Sequence, residues 1–334
     1  MLNFENKKIL ISSHNDLDGV FPIILAKRYS QQLGNPDLWM NGYNDSDYNH
    51  DELQNYDVVI YPDFSPDEKC RKIIQDNNII CYVLDHHIAV YDELTKWAKT
   101  YDKVFYTFSE TQSGTEIFYN WLKENFNIET NQTIDEAVIL VSTYDTWKKE
   151  SPLWTEAQNL NRLLYKVLDY KTQGLRKYNL FISIMNHKFD FEDHFYFNKI
   201  EMMKINQDIA KEDELFNEII SKPGKTIKTR KDEQGRYFAV IKCNSKVSAI
   251  CNRLLEKYKK LDYVIALNAF NKEKPSISLR SKQHFNLLEL ERAKGHEGAA
   301  GIENASTEDH ENIWSGNMFS IPYRMSENDL SKLI

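Results

Sequence analysis

Apolar and polar positions alternate in blocks along the first half of the chain. Residues 7–14, KKILISSH, form an apolar run that ends in a polar cluster, the pattern of a buried strand. Residues 20–34, VFPIILAKRYSQQLG, have helical spacing and stop at Gly34, which suits a helix C-terminus. Residues 56–64, YDVVIYPDF, predict a second strand, and Pro66-Asp67-Glu68 opens a helix with acids at the positive end of its dipole. Residues 79–87 and 103–108 predict two further strands, and 113–126 and 134–147 two further helices. Strands alternating with helices predict an α/β fold whose parallel sheet carries helices on both faces.

The pattern changes at residue 151. Residues 151–220 are aromatic and charged with helical spacing, and SKPGK at 221–225 breaks the chain. Beyond it, 237–243, 263–270 and 276–281 read as strands, and 245–258 reads as a helix capped by Ser245. The predicted organisation is an α/β domain over 1–200, a helical linker or hinge over 201–224, and a smaller α/β domain over 225–334.

Charge sharpens this division. The chain of 334 residues has a net charge of −8, but residues 221–301 balance at +10, 302–334 at −4 and 1–220 at −14. An acidic first half suits a cation, and a basic later segment suits an anion. No apolar run approaches the roughly 18 residues of a membrane span, and the N-terminus MLNFENKKILISS has no signal-peptide pattern. A cytoplasmic protein is expected. Cys70, Cys81, Cys243 and Cys251 are dispersed without a CxxC pair. That argues against a disulfide framework or structural zinc, and the four read as buried thiols.

Three predicted strands end in acids and histidines: His14-Asn15-Asp16-Leu17-Asp18-Gly19, then Pro62-Asp63-Phe64, then Asp85-His86-His87. A fourth acid, Asp145, ends a helical stretch. Ligands of parallel sheets bind at the carboxyl ends of the strands, so these groups should converge. Such a set of anions would repel itself unless cations sat among them. Mixed carboxylate and imidazole donors suit Mn²⁺, Fe²⁺, Co²⁺ or Zn²⁺. The donors are too many for one ion and suit two, which at roughly 3.5–4 Å apart can clamp a phosphoryl group and acidify a water. HNDLDG does not fit a calcium loop: His14 stands where Asp is expected, and Leu25 where Glu is expected.

HNDLDG, YPDFSP, LDHH and YDTW, with SLRS at 278–281 and GHEGAAG at 295–301, resemble the motifs of the DHH phosphoesterase superfamily and its associated C-terminal domain. Within it, HNDLDG and YDTW look most like the NrnB-type nanoRNases, which degrade very short RNA. The resemblance implies two divalent metal ions, Mn²⁺ preferred, with Mg²⁺, Co²⁺ or Fe²⁺ as alternatives. His14, Asp16 and Asp63 would hold one ion, and Asp18, Asp63, His86 and Asp145 the other. Asp85 would orient His86, and His87 would face the scissile phosphate. Arg280, Ser281, Lys294, Gly295, His296 and Gly301 would bind the substrate phosphate or terminal nucleotide. Where the family often has three glycines before its histidine, only Gly295 precedes His296 here, and Lys294 would substitute a charge contact.

The expected partners are short RNA or DNA oligonucleotides or small nucleotides, with no membrane and no long duplex, and a homodimer is compatible with the sequence. A 3′-phosphoadenosine 5′-phosphate phosphatase and a cyclic or linear dinucleotide phosphodiesterase are the alternative enzymes. A nucleotide-binding scaffold is the alternative outside catalysis, against which every expected ligand position is filled. The aromatics Trp147, Trp154, Tyr165 and Phe195 could stack bases or simply fill the core.

Overall fold

The computed structural model describes residues 2, 4–41, 50–232, 234–268, 276–282, 287, 293–296, 299–302 and 306–315. Two compact units divide it, Met1–Ile205 and Asn206–Ile334. Among the described residues no helix is long and apolar enough to cross a membrane. All four cysteines are buried thiols.

The first unit runs β1 (Ile9–His14), α1 (Leu17–Arg28), β2 (Asp37–Asn41), α2 (His50–Leu53), β3 (Val58–Pro62), α3 (Glu68–Asp76), β4 (Ile80–Asp85), α4 (Tyr91–Thr100) and β5 (Val104–Phe108). Helices α5 (Gly114–Asn125), α6 (Gln132–Asp145), α7 (Trp154–Val167) and α8 (Asn179–Phe191) follow. The five strands form one all-parallel sheet in the order β2-β1-β3-β4-β5. β1, β3 and most of β4 are buried along their whole length, which is why they read as continuous apolar runs.

Both faces of that sheet are covered. Val59 and Tyr61 of β3 and Cys81 and Val83 of β4 pack with Cys70, Ile74, Leu94 and Trp97 of α3 and α4. On the other side α1 packs on β1 and α5 on β3 and β4, with α6 against both helices. The order reverses between β1 and β3, the switch point at which such sheets open a crevice beyond their strand ends.

Strand β2 was not among the expected elements. It lies at the sheet edge with a half-exposed pattern, so its sequence DLWMN carries no buried run.

Helix α9 (Lys199–Ser221) contains the boundary between the units. The second unit then runs β6 (Ile227–Lys231), β7 (Tyr237–Lys242), α10 (Val247–Lys257), β8 (Leu261–Asn268), β9 (Ser276–Ser281), β10 (Ala293–His296), β11 (Ala299–Ile302) and α11 (Thr307–Ser315). Its six-stranded sheet is ordered β10-β11-β9-β8-β7-β6. Only β7 and β8, joined through α10, are parallel, and the other pairs are antiparallel. Residues 269–270 of the expected strand, together with Glu297 and Gly298 of GHEGAAG, lie outside the described residues. Helix α10 is not capped by Ser245: Lys246 occupies the cap in a left-handed conformation at φ 51° and makes no side-chain cap bond.

Candidate metal centre

The carboxyl ends of β1, β3 and β4 bring the expected donors together. Ligand atoms of His14, Asp16 and Asp63 lie within 4.8 Å of one another, as do those of Asp18, His86 and Asp145, and those of Asp63, Asp85, His86 and His87. Asp63 and His86 therefore each belong to two of these three groups. His86 Nε2 lies 3.0 Å from Asp145 Oδ2, 3.3 Å from Asp63 Oδ1 and 3.7 Å from Asp18 Oδ2. His14 Nδ1 lies 3.0 Å from Asp16 Oδ2.

Local structure fixes each group. The Asp16 carboxylate caps α1, accepting from Gly19 N at 3.0 Å. Gly19 sits in the first turn of α1, where a Cβ would lie 2.2 Å from the carbonyl oxygen of His14. The glycine is thus required by the close approach of helix and strand. Ser13 Oγ donates to the Pro62 carbonyl at 2.7 Å and ties the ends of β1 and β3. The His14 ring stacks on Phe64, with centroids 6.1 Å apart at 9°.

Asp63 follows β3 at φ 54°, in the left-handed region that Asp and Asn tolerate better than most residues. Strain of this kind clusters at functional sites.

Four residues outside the expected set help build the site. Ser113, Gly114 and Thr115 start α5, and their register there is not marked by any acid or histidine. Gly114 N and Thr115 N donate to the two oxygens of Asp18 at 2.7 and 3.0 Å, and Thr115 Oγ1 donates to the Asp18 carbonyl at 2.6 Å. The positive end of the α5 dipole therefore holds a buried carboxylate. Ser65 is the other omission: its Oγ donates to Asp85 Oδ2 at 2.6 Å.

Asp85 was expected to orient His86. The structure instead sets Asp85 Oδ1 2.6 Å from Nδ1 of His87, and joins Asp85 to His86 through the His86 backbone N–H at 2.7 Å. Both rings come near Asp63 Oδ1, His86 Nε2 at 3.3 Å and His87 Nδ1 at 4.0 Å, and packing at the strand end turns Nδ1 of His87, not the His86 ring, onto Asp85.

Electrostatics follow from burial. Burial raises Asp18 to about 6, and the Asp145 charge pushes the same way. Burial and the charges of Asp18 and Asp16 hold Asp63 well above the usual carboxylate range. Burial opposes ionisation of Asp16 too, but the hydrogen bond and charge of His14 overcome it and lower Asp16 to about 2. Burial disfavours a charged His86, yet hydrogen bonds to Asp145 and Asp63 push it up to about 12. Burial likewise opposes the His87 imidazolium, and Asp85 outweighs it and raises the ring above its ordinary value. The cluster is short of positive charge, and a cation among the carboxylates would supply it.

In the second unit the register aligns the expected substrate residues. His296 pairs with Ala299, and Ala299 pairs with Arg280, so Arg280 and His296 share one row two strands apart, roughly 10 Å. Gly295 pairs with Ala300, and Lys294 with Gly301, which in turn pairs with Ser278. Ser281 pairs with Tyr263 at the end of β9. Arg280 Nη2 donates to Ser248 Oγ at 2.6 Å, and Nη1 to the Leu279 carbonyl at 2.7 Å.

No protein-family model matches the chain. Oligoribonuclease NrnB of Bacillus subtilis (strain 168) is 24% identical over 309 residues, covering 88% of this chain and 71% of that protein. RecJ of Thermus thermophilus, solved in complex with Mn²⁺, superposes with a TM-score of 0.52 at 14% identity, covering 94% of this chain and 51% of that one. A DHH domain described as a member of the s1p family of ribosomal proteins superposes with a TM-score of 0.54 at 13% identity, over 95% of this chain and 88% of that chain. The chain is thus similar in sequence to oligoribonuclease NrnB and shares its fold with the RecJ and DHH-domain structures.

Proposed function

We propose that this protein is a divalent-metal-dependent phosphoesterase that hydrolyses short oligonucleotides from an end. The single observation that carries the reading is the position of Asp63 at the sheet's switch point, grouped with His14 and Asp16 on one side and 3.3 Å from His86 of the Asp18, His86 and Asp145 group on the other. A carboxylate so placed suits a pair of ions. The likeness to oligoribonuclease NrnB supports the substrate class, and the Mn²⁺ of the RecJ structure supports the metal.

The donor set fits such ions. His14, Asp16 and Asp63 would hold one, and Asp18, Asp63, His86 and Asp145 the other. Mixed oxygen and imidazole donors are compatible with Mn²⁺, Co²⁺ and Fe²⁺, and the likeness to a Mn²⁺-bound structure selects Mn²⁺ among them, with Mg²⁺ as a substitute. Bound there, the ions would supply Lewis-acid stabilisation of the phosphoryl charge and an acidified water.

The chain's own residues divide the remaining work. Asp85 fixes the His87 ring through Nδ1 and favours its charged form. His87 Nε2 would then donate to a phosphoryl oxygen as negative charge develops. Ser65 holds Asp85, and the N-terminus of α5 holds Asp18. Arg280 would bind an anionic group of the substrate through its planar fork, with Ser281, Lys294, Gly295, His296 and Gly301 as companions. We place the protein in the cytoplasm on the same reading.

The test uses the purified chain with Mn²⁺ and end-labelled RNA of two, five and twenty-four nucleotides. 3′-Phosphoadenosine 5′-phosphate and cyclic and linear dinucleotides run alongside, with Asp63→Asn as control. Mononucleotides released from the short RNAs, and lost in the control, are the expected result. Turnover of only the phosphoadenosine or a cyclic dinucleotide would move the substrate. No turnover with any divalent metal would overturn the enzyme.

A further inference from the structure

A hydroxyl from α6 is inserted into the capping box that opens α5. Ser113 caps α5, and its Oγ accepts from Glu116 N at 3.4 Å. Ser113-Gly114-Thr115-Glu116 has the spacing of a capping box, in which the glutamate side chain reaches back to the N–H of the capping residue. Here Ser142 Oγ stands between those two groups. It accepts from Ser113 N at 3.4 Å and donates to Glu116 Oε2 at 2.5 Å. The other carboxylate oxygen, Glu116 Oε1, accepts from Gln112 Nε2 at 3.0 Å.

The insertion gives the two helices one register. Ser113 and Ser142 are buried and Glu116 is half-buried. A hydroxyl used as donor and acceptor at once is satisfied in few orientations, so a slide of α6 along α5 would break both bonds. Packing alone does not call for this contact. Phe118 and Leu122 of α5 and Val138 and Val141 of α6 are buried and supply the apolar area. A half-buried carboxylate costs desolvation and contributes direction instead.

Each end of the contact leads to a donor of the metal centre. On α5, Gly114 N and Thr115 N, the next residues after Ser113, hold the Asp18 carboxylate at 2.7 and 3.0 Å. On α6, Ser142 lies about one turn before Asp145, the last residue of the helix. The Thr146 hydroxyl closes that turn on the Ser142 carbonyl at 2.6 Å, and Lys148 Nζ makes a second tie, to the Thr111 carbonyl at 2.9 Å. Asp18 and Asp145 then meet at one atom: His86 Nε2 lies 3.7 Å from Asp18 Oδ2 and 3.0 Å from Asp145 Oδ2.

We infer that Ser142 and Glu116 are positioning residues, a latch that sets Asp145 against Asp18 and so governs the ion of the Asp18, His86 and Asp145 group in preference to the ion of His14 and Asp16. The inference rests on the two-ion reading above and deepens it.

The experiment titrates the metal-free full chain with Mn²⁺, following the free ion by its electron paramagnetic resonance signal, beside melting curves of the metal-free chain. Groups that orient metal ligands commonly change metal affinity by about 10–100-fold. The unaltered chain is expected to bind two ions, and Ser142→Ala to weaken one of them about tenfold more than the other. Ser142→Thr keeps the hydroxyl and should restore part of the loss. Glu116→Gln leaves one oxygen where two now accept, and should show a smaller loss of the same kind. Beside Asp145→Asn the Ser142→Ala loss should shrink, because both changes act on one ion. A contact that only stabilises the fold would lower the melting temperature and leave the two affinities in their native ratio. That ratio in both Ser142→Ala and Glu116→Gln, or a loss undiminished beside Asp145→Asn, overturns the latch while the two-ion centre stands. Fewer than two ions on the unaltered chain overturns the two-ion reading and the latch together. A selective loss on a chain that turns over no phosphoester keeps the latch and sinks the hydrolase reading.

Discussion

Gly114 lies so close to Asp63 that a Cβ on the glycine would sit 2.4 Å from the Asp63 Cβ and 2.5 Å from its Cα. The start of α5 is therefore pressed against the central carboxylate of the site while its N–H groups hold Asp18. Neither neighbour can yield, because both contacts are to backbone or to the root of a side chain. Gly114→Ala is expected to cost about 1–3 kcal/mol in stability through overpacking, and to weaken Mn²⁺ binding because Asp18 and Asp63 are displaced together. Thermal unfolding and metal titration of the variant check this. Native-like affinity would show that α5 does not position the site.

Ser65 is linked to His87 through Asp85. Partners of this indirect kind commonly change activity by about 10–100-fold. Ser65→Ala is expected to lower kcat about tenfold with little change in KM, and Ser65→Thr should restore part of it. A fall confined to KM would contradict the positioning role.

Asp67 caps α3, accepting from Cys70 N at 2.7 Å, and pairs with His50 Nε2 at 3.0 Å. Burial raises its pKa, but these bonds outweigh it and leave the carboxyl below its ordinary value. A group depressed on folding stabilises the folded state above its unfolded pKa, about 3.9, and that stability is lost as pH falls through the folded value. Asp67→Ala should cost about 1 kcal/mol at pH 7, and the deficit should shrink when melting curves are repeated near pH 3. A deficit independent of pH would mean that the charge contributes nothing.

In the second unit, Arg280 is steered by Ser248 at the start of α10. Arg280→Lys keeps the charge and loses the planar fork, so KM for a dinucleotide should rise about tenfold, measured by initial rates. Ser248→Ala should show a smaller rise in the same direction. Unchanged KM in both variants would remove Arg280 from substrate binding.

The elements that carry the donors were legible because burial made them so. β1, β3 and β4 are covered on both faces, hence continuous apolar runs whose polar ends stand out. β2, half-exposed at an edge, has no such run, and β6, β10 and β11 are short strands at or near the edge of the other sheet. The acids and histidines could be named from residue type alone. The roles of Gly114, Thr115 and Ser65 could not, because each depends on the approach of a segment distant in sequence. The exchange of His86 for His87 as the partner of Asp85 has the same origin: side-chain direction at the end of a strand is set by tertiary packing.

The most direct measurement is a calorimetric titration of the metal-free chain with Mn²⁺, repeated on Asp63→Asn. Asn tolerates the left-handed backbone of this position, so the substitution removes charge without adding strain. The account predicts two equivalents bound by the unaltered chain and weakened binding of both in the variant. One equivalent, none, or two that persist unchanged in Asp63→Asn would contradict a centre built around Asp63.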